Sequence, residues 1–191
     1  MICLENTHTR HGGTVMDAAS TAALAARAPK AHLDGARLAN AAVALGLPLA
    51  ELAAPVDTVA LSLNKGLCAP LGAILAGEGE TIGAARVHLK RLGGATVHKA
   101  GIFAAAGLVA LELVDRLGED HARARELAQL IGAEPPETNI VYADLGEGAV
   151  EALAREGVLA IELEGRVRFV THRLIGDDEI RRAGEAVSRV A

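Results

Sequence analysis

Aromatic residues are nearly absent from this chain of 191 residues, which has two Phe, one Tyr and no Trp. That excludes the stacked-ring platforms on which single-stranded nucleic acids are held. The 19 Lys and Arg are dispersed among 24 Asp and Glu, for a net charge of -5, so no basic face for a duplex is written here either. Cysteine is scarce. Cys3 and Cys68 make neither a disulfide framework nor a metal-ligand spacing. No apolar run approaches the roughly 18 residues that cross a bilayer. The N-terminus, MICLENTHTR, lacks the charged start and apolar centre of a secretory signal. A cytoplasmic protein with no nucleic-acid partner and no membrane partner is the expectation.

What is present is aliphatic. Hydrophobic residues make up 51%, mostly Ala, Leu and Val. The length suits one large domain or two small ones. Short apolar runs at Ile2 to Leu4, Ala31 to Leu33, Val56 to Leu63 and Ala73 to Ala76 read as strands. Between them lie helical stretches. One is capped by Asp17 and runs to Ala28, one spans Gly35 to Leu45, and one spans Glu80 to Leu92. Strands alternating with helices predict βαβ units and a mostly parallel sheet. A long Ala/Leu-rich helix is expected from Ile102 to about Leu130, kinked near Gly118. Its first half is apolar on nearly all sides and is expected to be buried. Its second half, Glu119 to Glu126, is charged and is expected at the surface.

After Pro135-Pro136 the pattern changes to strand, helix, strand, strand, helix. Thr138 to Leu145 reads as a strand and Val150 to Glu156 as a helix. Val158 to Leu163 and Val167 to Thr171 form a hairpin about Glu164-Gly165-Arg166, and Asp177 starts a closing helix. The expected organisation is a large-domain portion over 1–115 and a small α+β domain over 116–191.

Two polar clusters sit where strands end: His32-Leu33-Asp34-Gly35-Ala36-Arg37 and Ser62-Leu63-Asn64-Lys65-Gly66-Leu67. In open α/β sheets, ligands bind beyond the carboxyl ends of strands. A carboxylate and a lysine at two successive strand ends suit pyridoxal 5'-phosphate (PLP). A lysine forms the Schiff base with it and a carboxylate pairs with its pyridinium nitrogen. Taken singly, Asp34 also suits an Asp-Gly turn and Lys65 a solvated strand end. Arg37, at the start of the next helix, could reach the cofactor's ring oxygen or a substrate carboxylate. Arg168, in a strand where Arg166, Arg168 and Val170 share a face, offers a forked guanidinium for an amino-acid carboxylate. Lys90 to Lys99 is a basic, glycine-containing loop of the kind that receives phosphate. His8 and His11 are possible acid-base groups.

With these residues in place, the chain resembles the L-threonine aldolase and β-eliminating lyase family, PLP enzymes of the aspartate-aminotransferase-like fold. The matching segments are Leu4-Glu5-Asn6-Thr7-His8 with Gly12-Gly13; His32-Leu33-Asp34-Gly35-Ala36-Arg37-Leu38; Leu63-Asn64-Lys65-Gly66-Leu67 with Ala69-Pro70-Leu71-Gly72; and Val167-Arg168-Phe169-Val170-Thr171-His172. The resemblance implies an α/β fold, the C-terminal part of a fold-type I large domain followed by a small α+β domain. It implies Lys65 as the Schiff-base lysine, Asp34 as the pyridinium partner, Arg37 near the ring oxygen or substrate, and Arg168 as the substrate carboxylate anchor. The implied reaction cleaves a threonine-like β-hydroxy-α-amino acid to glycine and an aldehyde. Other implied possibilities are a PLP lyase of different amino-acid specificity and an inactive accessory homologue. A homo-oligomer, dimer or tetramer, is implied as well. The chain departs from the family pattern in two ways. It starts well inside the family's large domain, as an N-terminally truncated member would, so a separate N-terminal segment is an expected partner. His98 stands where a phosphate-binding arginine is expected, and Asn64 replaces the usual serine before the lysine.

Overall fold

The computed structural model describes residues 1–94 and 99–190. The chain forms two compact units. One comprises Met1–Thr7 and Met16–Asp115; the other comprises His8–Val15 and the chain from Arg116 onward.

The first unit is built on four strands: β1 (Ile2–Glu5), β2 (Ala31–Gly35), β3 (Thr58–Ser62) and β4 (Ala73–Gly77). They pair in that order. The first two pairings are parallel and the last is antiparallel. Between β1 and β2 runs α1 (Ala18–Ala25), whose first turn is fixed by the Asp17 carboxylate accepting from Ser20 N at 2.7 Å. It stops three residues short of the expected Ala28. Pro29 forbids continuation, and residues 26–28 form turns. Between β2 and β3 lie α2 (Leu38–Leu45) and the short α3 (Leu49–Ala53). α2 starts at Leu38 instead of Gly35, because Gly35 is still paired in the sheet, opposite Leu61. A Cβ on Gly35 would meet Ala60 O at 2.8 Å and Val59 Cγ2 at 3.0 Å, so only glycine lets β2 and β3 approach this closely. Leu33, Leu38, Ala41 and Leu52 are buried in this unit.

α4 (Gly79–Arg91) and α5 (Ala100–Leu111) follow β4. The expected long helix is in fact two. α5 ends at Leu111, residues 112–116 form turns, and α6 (Leu117–Ile131) begins anew in the second unit. The burial expectation fails for the first half and holds for most of the second, where Glu119, Arg125 and Glu126 are exposed. α5 buries only Gly107 and Ala110, while Ile102, Leu108 and Val109 are 66%, 68% and 58% exposed. α6 buries Asp120 and His121. Every residue of β4 is exposed, and α4 buries none.

The second unit holds a three-stranded antiparallel sheet. β5 (Ile140–Ala143) and β6 (Ile161–Leu163) flank the central β7 (Arg166–Val170). Leu163 pairs with Arg166, so the hairpin loop is Glu164-Gly165 alone. Both have positive φ, 54° and 77°, as a two-residue turn matched to strand twist requires. Helix α7 (Ala149–Arg155) and the closing α8 (Asp177–Val190) complete the unit. The core joins Leu127 and Ala128 of α6, Val141 of β5, Leu153 of α7, Val167 and Phe169 of β7, and Ile180 and Val187 of α8. Residues 8–15 are sewn to this unit by backbone and side-chain bonds. Thr138 Oγ1 donates to Gly13 O at 2.7 Å, Val15 N donates to Glu137 Oε2 at 2.8 Å, and Tyr142 Oη donates to Thr9 O at 3.2 Å. Among the described residues, no helix is long and apolar enough to cross a membrane.

Candidate functional site

Alternation decides what the first sheet presents. In parallel register, Cys3, His32 and Thr58 form one row across the sheet, and Glu5, Asp34 and Ala60 form the next on the same face. The opposite face carries Leu4, Leu33 and Val59. One face is therefore polar at the carboxyl end and the other aliphatic. On the polar face, His32 Nδ1 and Thr58 Oγ1 lie 2.8 Å apart. The strand ends are joined through Asn6, whose backbone N–H donates to Asp34 O at 3.0 Å. The Asn6 side chain is buried. It clasps Met16 twice, donating to its carbonyl at 2.7 Å and accepting from its N–H at 3.2 Å.

Asp34, the penultimate residue of β2, lies on this polar face with its side chain exposed. One carboxylate oxygen accepts from Ala36 N at 3.0 Å. The residue thus makes the turn into α2 while its side chain stays exposed at the strand end. Arg37 is half-buried at the N-cap position of α2 and makes no capping bond there.

Lys65 lies three residues past β3 with an exposed side chain. Its loop is held on both sides. Leu63 N donates to Gly72 O at 3.0 Å, Ala69 N to Leu63 O at 2.8 Å, and Cys68 N to Lys65 O at 2.9 Å. Leu63, Leu67 and Ala69 are buried beneath it. Ser62 Oγ donates to Asn64 Oδ1 at 2.5 Å, so the asparagine before the lysine binds the last strand residue. Gly107 of α5 lets the helix pass close to this loop, since a Cβ there would meet Leu63 Cδ1 at 2.9 Å. A lysine on a loop pinned by buried side chains and backbone bonds is positioned more exactly than one on a free loop.

Asp34, Arg37 and Lys65 therefore belong to one unit, at the carboxyl ends of adjacent parallel strands. Arg168 belongs to the other unit, on central strand β7 between Tyr142 and Ile161. It points away from the side bearing Val167 and Phe169. Its Nε is buried and has no hydrogen-bond partner among the described residues. A buried guanidinium edge left unmatched is costly unless an anion meets it. Next to it, Arg166 lies over the Tyr142 ring, 4.4 Å from its centre. His98, the expected phosphate contact, lies outside the described residues. His8 and His11 are ring neighbours, with centroids 4.7 Å apart.

Sequence reasoning passed over the His32–Thr58 pair, although His32 and Asp34 at spacing two already placed both on one face. It also missed the ion pair of Arg116 Nη2 with fully buried Asp120, 2.6 Å apart. Thr171 Oγ1, just past β7, donates to the carbonyl of that same Asp120 at 2.6 Å.

The four-stranded sheet of the first unit and the small α+β second unit give the chain the α/β fold of the fold-type I PLP enzymes. The chain belongs to the beta-eliminating lyase family, whose model matches residues 1–145. Two proteins of Arabidopsis thaliana, one of them low-specificity L-threonine aldolase 1, are 34–38% identical over 94% of this chain. The low specificity L-threonine aldolase of Escherichia coli K12 is 34% identical over 78% of it. The chain spans 56% of the length of the plant proteins and 47% of the bacterial one. Among solved structures, the threonine aldolase of Leishmania major shares the fold with a TM-score of 0.73 at 21% identity. That match covers 99% of this chain and 60% of that one.

Proposed function

We propose that this chain provides the lysine-bearing wall and the small domain of a threonine aldolase-like lyase, which cleaves threonine-like β-hydroxy-α-amino acids to glycine and an aldehyde. The reading divides it at 115/116 into a cofactor-binding portion and a small domain, places it in the cytoplasm, and makes it part of a homo-oligomer. One observation carries it: Asp34 and Lys65 end adjacent parallel strands of one sheet, a carboxylate and an amine on the same unit.

The residues suit PLP by their chemistry. Lys65 supplies the amine that holds the cofactor covalently, and Asp34 supplies the anion that keeps a pyridine nitrogen protonated. When bound, PLP supplies an electron sink for the breaking Cα–Cβ bond. The protein's part is placement and charge. Arg168 offers an unmatched Nε to a substrate carboxylate, and a bidentate guanidinium fixes orientation as well as charge. Arg37 can serve the cofactor's ring oxygen or the substrate from the start of α2. The Ser62–Asn64 bond and the buried Leu63 and Leu67 hold the loop that carries the lysine.

The test is covalent attachment. The chain is incubated with PLP, reduced with borohydride and mapped by peptide mass. The modification is expected on Lys65 and is lost in Lys65→Ala. Threonine should then yield glycine and acetaldehyde. Pyruvate from serine instead would assign a β-eliminating activity. No attachment at Lys65 overturns the proposal and leaves an accessory role.

A further inference from the structure

The second unit also carries a cleft at the end of β7 that Arg168 does not line. The cleft, of about 300 Å³, opens where β7 ends beside α8. That volume is at the lower end of small-molecule sites, roughly 300–1,000 Å³. Its lining is mostly apolar, with Leu127, Val158, Phe169, Ile175, Ile180 and Ala183, and Thr171 and His172 also line it. At its lip stands Leu159, 87% exposed.

Two opposite charges of α8 line the same cleft, Glu179 and Arg182. Residues three apart on a helix are neighbours on one face, yet these two form no ion pair with each other. Glu179 spends one oxygen, Oε2, on Gly176 N at 2.9 Å. Arg182 makes no ion pair among the described residues, whereas Arg181 pairs with Asp178 and Arg189 with Glu156. The Arg182 guanidinium lies across the mouth from α8 toward Gly157, 3.8 Å from where a Cβ of that glycine would stand. An apolar floor with a separated carboxylate and guanidinium at the rim matches a zwitterion with a greasy tail.

We propose that this cleft binds a free aliphatic α-amino acid. The side chain enters among Phe169, Ile175 and Ala183, the carboxylate meets Arg182, and the ammonium meets Glu179. The site is independent of the proposed catalytic reading, because none of its residues serves PLP or the Arg168 anchor.

The test uses the whole chain and three probes: L-leucine, 4-methylpentanoate without the ammonium, and 3-methylbutylamine without the carboxylate. Binding is read by calorimetry and by backbone amide shifts. L-leucine should bind saturably and shift the amides of Val158, Ile175 and Ala183. Either truncated probe should bind about tenfold more weakly, as loss of one charge-assisted bond implies. Arg182→Gln should weaken leucine about tenfold and leave the amine unchanged, and Glu179→Gln should do the converse, sparing 4-methylpentanoate. Arg168→Gln should leave leucine binding at this cleft intact, which separates the site from the substrate anchor. Absence of saturable leucine binding, shifts confined to other residues, or equal affinity for 4-methylpentanoate overturns the proposal.

Discussion

At the scale of single residues, burial inverts the ordinary behaviour of charged groups in α6. His121 is 3% exposed. Burial, with the Arg125 charge second, lowers its pKa from 6.5 to about 4. Above pH 6.5 the imidazole is neutral folded and unfolded, and contributes no pH dependence. As pH falls from 6.5 toward 4, the unfolded chain takes up the proton and the folded chain does not, so stability drops. The full loss is about 3 kcal/mol. Urea unfolding measured across this window should show that slope, and His121→Asn should flatten it. A slope unchanged in the variant would assign the acid sensitivity elsewhere. The charge run Glu119 to Glu126 read as a solvated face because Asp and Glu are seldom fully buried unless paired. The pairing was one helical turn away in Arg116, whose local pattern does not single it out.

At the scale of elements, the strands and caps were legible and the burial of α5 was not. Asp17, the glycines closing α2 and α6, and the Glu164-Gly165 hairpin announce themselves by local chemistry that tertiary structure has no cause to override. Asp34 and Lys65 were legible for a related reason: strand ends are marked by the polar residue that follows an apolar run. The boundary between α5 and α6 was obscure because 112–116 contain no Pro or Gly to mark a stop. The exposure of α5 was obscure because an all-apolar helix is ordinarily buried. Gly35 shows how little room the sheet leaves at the site. Gly35→Ala would force a methyl against Ala60 O and Val59 Cγ2, displacing the strand end that bears Asp34. Overpacking of this kind costs about 1–3 kcal/mol. Thermal unfolding should show that loss, and PLP attachment at Lys65 should weaken with it. A fully stable Gly35→Ala would refute the close approach of β2 and β3.

At the scale of the molecule, much of the exposed apolar surface falls in one stretch of sequence. Leu75, Val87, Leu89, Leu92, Ile102, Leu108 and Val109 are all between 44% and 85% exposed. Such patches promote association. Changing Ile102, Leu108 and Val109 together to Gln should lower binding of the dye ANS and shift sedimentation toward a single slow species. Each change should alter stability by no more than about 0.5 kcal/mol. Unchanged sedimentation would clear α5 of responsibility for any self-association. The path of the backbone has its own consequence. Residues 8–15 are flanked on both sides by the first unit's chain, yet their bonds to Thr138, Glu137 and Tyr142 place them in the second. A protease that cuts in the turns at 112–116 therefore does not free two self-sufficient halves. The N-terminal fragment keeps a peptide that the C-terminal fragment needs, like a stitch passed through both pieces of cloth. The nicked halves are expected to elute together until denaturant draws the thread out.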